Sequence, residues 1–535
     1  MTEAPPLDFP ALLGRLAARG QRPALSFYRG KSREGHLTYA ELVAAVDAVA
    51  GGLSGRLGVR PGDRVALLTP NRLEVPVLVL ALLRLGAVVV PLNPTSSPED
   101  WRYILTHSGA RGLCGTPDLL DTVEERARPE FILSIEDTAS LAGQPPDPPA
   151  GLAEQMAAVL YTSGTTGNPK GVALRQRNLV ANAWSMATNF RLEETTQLAV
   201  LPLYHAHAFG FGLMTALCTG GHLVFTERLE PFTWAAVVRA ESVEVSSVVP
   251  ALIPMLLAGG VKREQVPTLR HLMVSSAPLP NAVARDFETR TEIPLIQGWG
   301  LSEYTNFACC LSPCDPPEEH AQLMFDAEVP SIGPALEGTE VRVVDANGVA
   351  VGEGTRGELV VRGHSLMIGY YRDPENTAGA IGPDGWLRTG DEGFFRLHRG
   401  RPFHFVTGRL KELIIRDAEK YSPLALEQKL VKVLPELSGN LVVLGFLHHE
   451  HGEEVGAYLA VEQLDDAFRE RLLRALETLP VPERPKVILH GETPIPRTHT
   501  GKIQRRKMGP WFTRWSSHRG RTVITPLADE LELSE

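Results

Sequence analysis

Residues 161–171 read YTSGTTGNPKG, which places Gly164, Gly167 and Gly171, the hydroxyls of Tyr161, Thr162, Ser163, Thr165 and Thr166, and Lys170 within eleven positions. Consecutive amides bared by glycine can converge on an anion, and hydroxyls beside them add donors that close on phosphate oxygens. A polyphosphate is the natural ligand. The spacing is not a Walker loop, because Gly167 runs into Asn168-Pro169-Lys170 instead of a Gly-Lys-Thr ending, so a P-loop kinase or ATPase is disfavoured. A plain flexible turn would explain the glycines but not the hydroxyls beside a lysine. Cys309, Cys310 and Cys314 lack paired Cys-x-x-Cys spacing and are read as buried apolar residues, not zinc ligands.

The elements that must hold this loop are visible as short apolar runs ending at glycine, proline or hydroxyl residues: DRVALLTP, AVVVPLNP, MAAVLYTSG, GHLVFT and VSSVVP. Helix-length stretches such as 72–85 separate them, which indicates α/β layering. VPVLVLALLRLGAVVVPL, from Val75, is broken by Arg84, Gly86 and Pro91, too short for a membrane span of about 20 residues, and reads as a helix followed by a buried strand. From Ile332 the texture changes to alternating strands joined by Asn347-Gly348 and 352–357, the marks of hairpins in a β-rich, barrel-like subdomain. From Leu410 a small α+β unit follows. With 535 residues the chain exceeds one core. The expected division is 1–410, with the β-rich part at about 330–410, then a mobile unit at 411–512 and a tail at 513–535.

Composition narrows the function. Hydrophobic residues at 43% and charged residues at 22% are those of a globular chain, and 53 basic against 63 acidic residues give a net charge of -10, which offers no broad grip on nucleic acid. Five cysteines make no disulfide framework, and the start carries acid early with no apolar stretch behind a basic head, so a reducing cytoplasm is expected.

YTSGTTGNPKG resembles the signature loop of the adenylate-forming superfamily, which includes acyl-CoA synthetases, free-standing adenylation enzymes and luciferases of the firefly type. Six further stretches match in family order: LPLYHAHAFG, QGWGLSE, GELVVRG, GWLRTGD, TGRLKELI and PRTHTGKIQR. The resemblance covers nearly the whole chain. It implies two steps: a carboxylate attacks the α-phosphorus of ATP and releases pyrophosphate, then a thiol attacks the acyl-adenylate and releases AMP. It further implies that Thr162, Ser163, Gly164, Thr165, Thr166, Gly167 and Lys170 cover the β- and γ-phosphates, with a mobility that lets pyrophosphate leave.

The same resemblance assigns the other residues. Ser276, Ala277 and Pro278 lie along the adenine edge. Within Gly298, Trp299 and Gly300, the Trp299 ring faces adenine where the family usually has tyrosine. Ser302 stands for the usual threonine at the α-phosphate, and Glu303 is the hard ligand for Mg²⁺. Asp391 and Arg409 meet the ribose. Lys502, after Gly501, offsets the charge that grows between carboxylate and phosphate. Lys411 is the hinge about which the small unit turns between steps. His205 matches the gate residue, and His207 is an extra imidazole that either packs or serves the acyl entrance. LHHEHGEE, from Leu447, is read as a solvent-exposed loop instead of a metal cluster.

The acid is read from the gate segment. Enzymes of this kind that take α-amino acids meet the ammonium with an aspartate, because a buried unpaired cation is costly. Residues 201–226 contain no acid. Phe209, Phe211, Leu213 and Met214 would line an apolar wall for an aryl or medium-chain fatty acid, or else pack a helix on the core. At Asp417 and Ala418 the family commonly has glycine near the pantetheine path, so Cβ atoms there bear on the thiol. CoA is the expected acceptor, with the phosphopantetheine of an acyl carrier protein as the alternative, in a monomer or homodimer. Nothing in the chain points to luciferase chemistry. An inactive nucleotide-binding module would have shed Glu303, Asp391 or Lys502, and all three are present.

Overall fold

The computed structural model describes residues 4–162, 168–327, 329–417, 419–498 and 501–528. Two sheets of mainly parallel strands form the large part. One has seven strands in the order Gly369–Tyr370, Lys170–Arg175, Met156–Thr162, Val88–Leu92, Arg64–Leu68, Gly112–Gly115, Phe131–Ser134. The other has eight, running from Phe307–Cys310 through Leu295–Gly300, His271–Val274, Val245–Val248, Thr196–Ala199 and His222–Thr226 to Pro23–Arg29 and Ser32–Thr38. Fully apolar runs such as VVVPL become strands buried on both faces, as parallel sheets require.

The stretch from Val75 is helix Glu74–Arg84 followed by strand Val88–Leu92, with residues 75–83 all buried. Arg84 ends the helix and meets Asp47 at 2.6 Å. Among the described residues no helix is long and apolar enough to cross a membrane.

The β-rich region is a five-stranded sheet in the order Ser331–Gly333, Arg401–Arg409, Leu387–His398, Gly357–Gly363, Thr339–Val344. It stays open and does not close into a barrel: its first strand is only three residues long, too short to complete a ring. Leu387–His398 and Arg401–Arg409 pair antiparallel, and this hairpin brings Asp391 opposite Arg409.

The last sheet has Glu419–Tyr421, Ile414–Arg416, Gly452–Leu459, Val487–His490 and Val523–Pro526 in order, with Leu441–His448 also pairing to Gly452–Leu459. Its core is separate from the main one and includes Ile414, Leu426, Leu430, Val443, Val455 and Ile488. The described part of the tail is an ordered extension. Val523–Pro526 adds a parallel strand beside Val487–His490, and Phe512 is fully buried with its ring 5.3 Å from Phe446.

Phe512→Ala opens a cavity under this sheet, and a loss of roughly 3–5 kcal/mol follows for a buried Phe reduced to Ala. Denaturant unfolding is expected to show that loss, and an unchanged midpoint would mean that the extension is not part of the cooperative unit.

Candidate active site

A cavity of about 450 Å³ lies where the small sheet meets the two larger bodies, and its lining includes Ser276, Ala277, Pro278, Gly298, Trp299, Gly300, Asp391, Arg409, Glu412 and Lys502. Its centre is the Asp391 carboxylate, 7% exposed. Arg409 Nε lies 2.7 Å from Oδ1, and the Trp299 indole N–H donates to Oδ2 at 2.9 Å. The Asp391 charge raises the already high pKa of the Arg409 guanidinium. Both oxygens of a buried carboxylate are thus answered by donors, one of them charged.

Trp299 sits near the carboxyl end of strand Leu295–Gly300, where open α/β sheets bind ligands. Glycines flank it for steric reasons. A Cβ at Gly300 would fall 1.7 Å from the Asn306 carbonyl oxygen, and one at Gly298 would fall 2.6 Å from Met273 and 2.7 Å from Cys310. The indole itself is only 8% exposed. Its N–H bond to Asp391 adds a function that ring stacking alone does not include.

Ser276 ends the next strand's turn in the left-handed region, φ 74°. Its hydroxyl is 3.0 Å from His207 Nδ1. His207 is 5% exposed, and burial, followed by the nearby His205, pushes its imidazole down to about 3. It is therefore neutral, a packed imidazole that braces Ser276. His205 lies on the turn before Ala208–Met214, its ring 4.5 Å from Tyr204, and is not among the residues lining the cavity.

Phe209, Phe211, Leu213 and Met214 all belong to the main core and none lines the cavity, so helix packing accounts for them. Phe211 meets Phe190 and Phe307 at 5.2 and 6.1 Å.

Ser302 and Glu303 occupy a short turn, Ser302–Tyr304. The Tyr370 hydroxyl donates to Glu303 Oε1 at 2.9 Å, and burial together with the Glu303 charge raises the phenol's pKa. Lys170 Nζ stands 4.9 Å from the Tyr370 ring centre and donates to Asn376 Oδ1 at 2.5 Å. Tyr370 thereby joins the Lys170 and Glu303 ends of the site, a role that a tyrosine beside Gly369 did not signal in the sequence. Thr162 and Lys170 pair at the ends of antiparallel strands Met156–Thr162 and Lys170–Arg175. Ser163, Gly164, Thr165, Thr166 and Gly167 lie outside the described residues.

Lys502 follows Gly501, φ 82°, on a turn closed by Thr498 N–H to the Lys502 carbonyl at 2.7 Å and Lys502 N–H to Thr498 Oγ1 at 3.1 Å. The residue is exposed and lines the cavity. Enclosure lowers its pKa, as does Arg409, while Asp391, Glu303 and Glu412 act in the opposite sense. Lys411, in the turn Leu410–Glu412, is exposed and does not line the cavity.

Two sequence expectations change, and the backbone at Asp417 bears on a third. Cys309 and Cys310 are buried but Cys314 is exposed, because it falls in the turn after strand Phe307–Cys310. The histidines of LHHEHGEE are not uniformly in solvent: His448 is buried and stacks on His451 at 4.9 Å. Asp417 takes the left-handed conformation, φ 52°, that glycine would favour, with its carboxylate turned to His451 Nδ1 at 2.8 Å and Arg416 at 3.0 Å; Ala418 lies outside the described residues. Among the described residues no group of three or more His, Cys, Asp or Glu could hold a metal ion.

A model of the AMP-binding enzyme family matches residues 14–371. The chain belongs to this family. A sulfoacetate–CoA ligase of Cupriavidus necator is 32% identical over 94% of this chain and 98% of its own. A feruloyl-CoA synthase of Amycolatopsis is 33% identical over 74% and 78%. ATP-bound MatB from Rhodopseudomonas palustris superposes with a TM-score of 0.82 at 26% identity, covering 95% and 99% of the two chains. A complex of o-succinylbenzoate CoA synthetase from Bacillus subtilis with ATP and magnesium gives 0.80 at 25%, covering 93% and 98%. This AMP-binding enzyme is an AMP-forming acid–thiol ligase, from a family in which ATP and Mg²⁺ are bound and acyl-AMP is the intermediate.

Trp299→Phe keeps the ring and deletes the donor to Asp391. A hydrogen bond to a charged group is worth about 1.5–3 kcal/mol, so the KM for ATP is expected to rise roughly tenfold or more. Steady-state kinetics at saturating acid check this, and an unchanged KM would show that the bond does not order the nucleotide site.

Proposed function

We propose that this enzyme converts an aryl or medium-chain fatty acid to acyl-AMP and then to the CoA thioester. One observation carries the reading: Lys502, from the small sheet, lines the same cavity as Asp391, Arg409 and Trp299. The acid's oxygen attacks the α-phosphorus, a new O–P bond forms and pyrophosphate departs. The thiol sulfur then attacks the acyl carbon, the C–O bond breaks and AMP leaves with the oxygen it gained.

Asp391 and Arg409 orient the ribose hydroxyls, while the turn Ser276 to Pro278 and the wall Gly298 to Gly300 flank the base. Ser302 reaches the α-phosphate. Thr162 and Lys170 hold the ends of the hydroxyl-rich loop over the outer phosphates. Glu303, its Oε1 steadied by Tyr370, has the donor chemistry for Mg²⁺, which keeps most of its ligands from water and phosphate. Lys502 places positive charge where the attacking carboxylate and the phosphate both carry negative charge. His205 guards the acyl entrance.

The acid-free gate segment supports an acid without an ammonium group, and the feruloyl-CoA synthase relative supports an aryl one. Residues 1–410 and 411–512 act as two bodies with Lys411 between them, consistent with the separate core of the last sheet. CoA as the acceptor is supported by the relatives named as CoA ligases and synthases, while Asp417, where the family commonly has glycine, keeps a carrier-protein phosphopantetheine as the alternative.

Pyrophosphate release with benzoate, cinnamate and octanoate, followed by mass detection with CoA or a holo carrier protein, identifies acid and acceptor. Lys502→Ala is expected to lose about 100-fold or more in adenylation, the scale of removing one preorganised transition-state donor. Near wild-type pyrophosphate exchange in a folded variant would refute its role. Lys411→Pro fixes φ at the hinge. It is expected to keep pyrophosphate release and lose thioester formation, and equal loss of both would remove Lys411 from the hinge.

A further inference from the structure

The turn that carries Lys502 is anchored by a side chain three residues further on. Arg505 is 11% exposed, and its Nη2 is shared between both carboxylate oxygens of Glu427, at 2.7 Å from Oε1 and 2.9 Å from Oε2. Its Nη1 donates to Glu412 Oε2 at 3.2 Å, and its Nε donates to the Val443 carbonyl at 2.9 Å. Glu412 directly follows Lys411, Glu427 belongs to helix Pro423–Val433, and Val443 lies on strand Leu441–His448. One guanidinium therefore joins the lysine turn, the proposed hinge turn, a helix and the strand Leu441–His448.

Such a buried cluster is poor evidence of stability, since desolvating three charges offsets much of their attraction. Burial raises the Glu427 carboxyl, against the opposing pull of Arg505. What the planar guanidinium adds is direction: Nη2, Nη1 and Nε reach Glu427, Glu412 and the Val443 carbonyl along fixed directions in one plane, a three-way contact that a single ammonium cannot reproduce. The other bonds of the Lys502 turn are mostly local: the Thr498 bonds, Gln504 N–H to the Pro496 carbonyl at 2.8 Å and Arg497 Nη1 to the Gly501 carbonyl at 3.1 Å. Arg497 Nη2 also reaches the Gly439 carbonyl, at 3.5 Å, a longer link than any that Arg505 makes.

We infer that Arg505 is a positioning residue for Lys502, fixing the turn to Glu412 beside the hinge so that the ammonium moves with the small unit as one lever. This rests on the reading of Lys502 as the adenylation lysine. Lys502 serves only the first half-reaction, so the effect of Arg505 is confined there, which a purely structural side chain would not achieve.

The test compares Arg505→Lys, the milder Glu412→Gln, and Lys502→Ala in the full chain. Two rates are measured: pyrophosphate release with benzoate or octanoate, whichever the wild type adenylates, and conversion of the matching synthetic acyl-AMP by CoA. Arg505→Lys keeps the charge and loses the planar three-way contact, and a displacement of the Lys502 ammonium by about 1 Å is expected to lower adenylation about 10- to 100-fold. Glu412→Gln is expected to lower adenylation less, and the second rate is expected to stay at the wild-type level in Arg505→Lys. A parallel fall in both half-reactions, or wild-type adenylation in Arg505→Lys while Lys502→Ala is inactive, would overturn the inference alone. Adenylation that survives in Lys502→Ala would overturn the lysine's role and the inference with it.

Discussion

A carboxylate held out of water is the constraint on which the site depends. Removing a charge of this kind from solvent costs several kcal/mol unless donors replace the lost water. Asp391 receives one donor from Arg409, on the neighbouring strand of its own hairpin, and another from Trp299, on the eight-stranded sheet. Because its two oxygens are answered from different sheets, the open five-stranded sheet and the edge of the large parallel sheet are held in one arrangement. The cavity lies at that junction, and the glycines beside Trp299 are there because backbone and sulfur atoms leave no room for a Cβ.

Lys502 enters this field from a third body. Arg409 opposes its charge, whereas Asp391, Glu303 and Glu412 favour it. The ammonium is thus suited to a cavity that also contains a negatively charged ligand, and less suited to an empty one. A small unit with its own core, joined through one short turn, can move as a rigid body.

Much of the architecture was legible. Apolar runs of strand length, interrupted by glycine and proline, gave the α/β layers, and the Asn347-Gly348 signal marked the β-rich region. The seven ordered stretches located Trp299, Asp391, Arg409 and Lys502, which the structure brings into one cavity. What escaped depends on contacts between distant residues. Nothing local tells that Tyr370 bridges Glu303 and Lys170, that His207 braces a strained serine, or that Arg505 gathers two carboxylates. Phe209 and Phe211 illustrate a second limit, because an apolar wall and a packed core use the same residue types and only burial separates them. The tail escaped for a third reason: a four-residue edge strand at 523–526 needs its neighbour at 487–490 to be recognised as one.

The central claim is that a mixed anhydride forms between an organic acid and AMP. The most direct measurement uses an acid whose carboxylate carries heavy oxygen, incubated with ATP, Mg²⁺ and CoA, with the products resolved by mass. The account predicts one labelled oxygen in AMP and none in pyrophosphate. Unlabelled AMP, or label in inorganic phosphate accompanied by ADP, would contradict it.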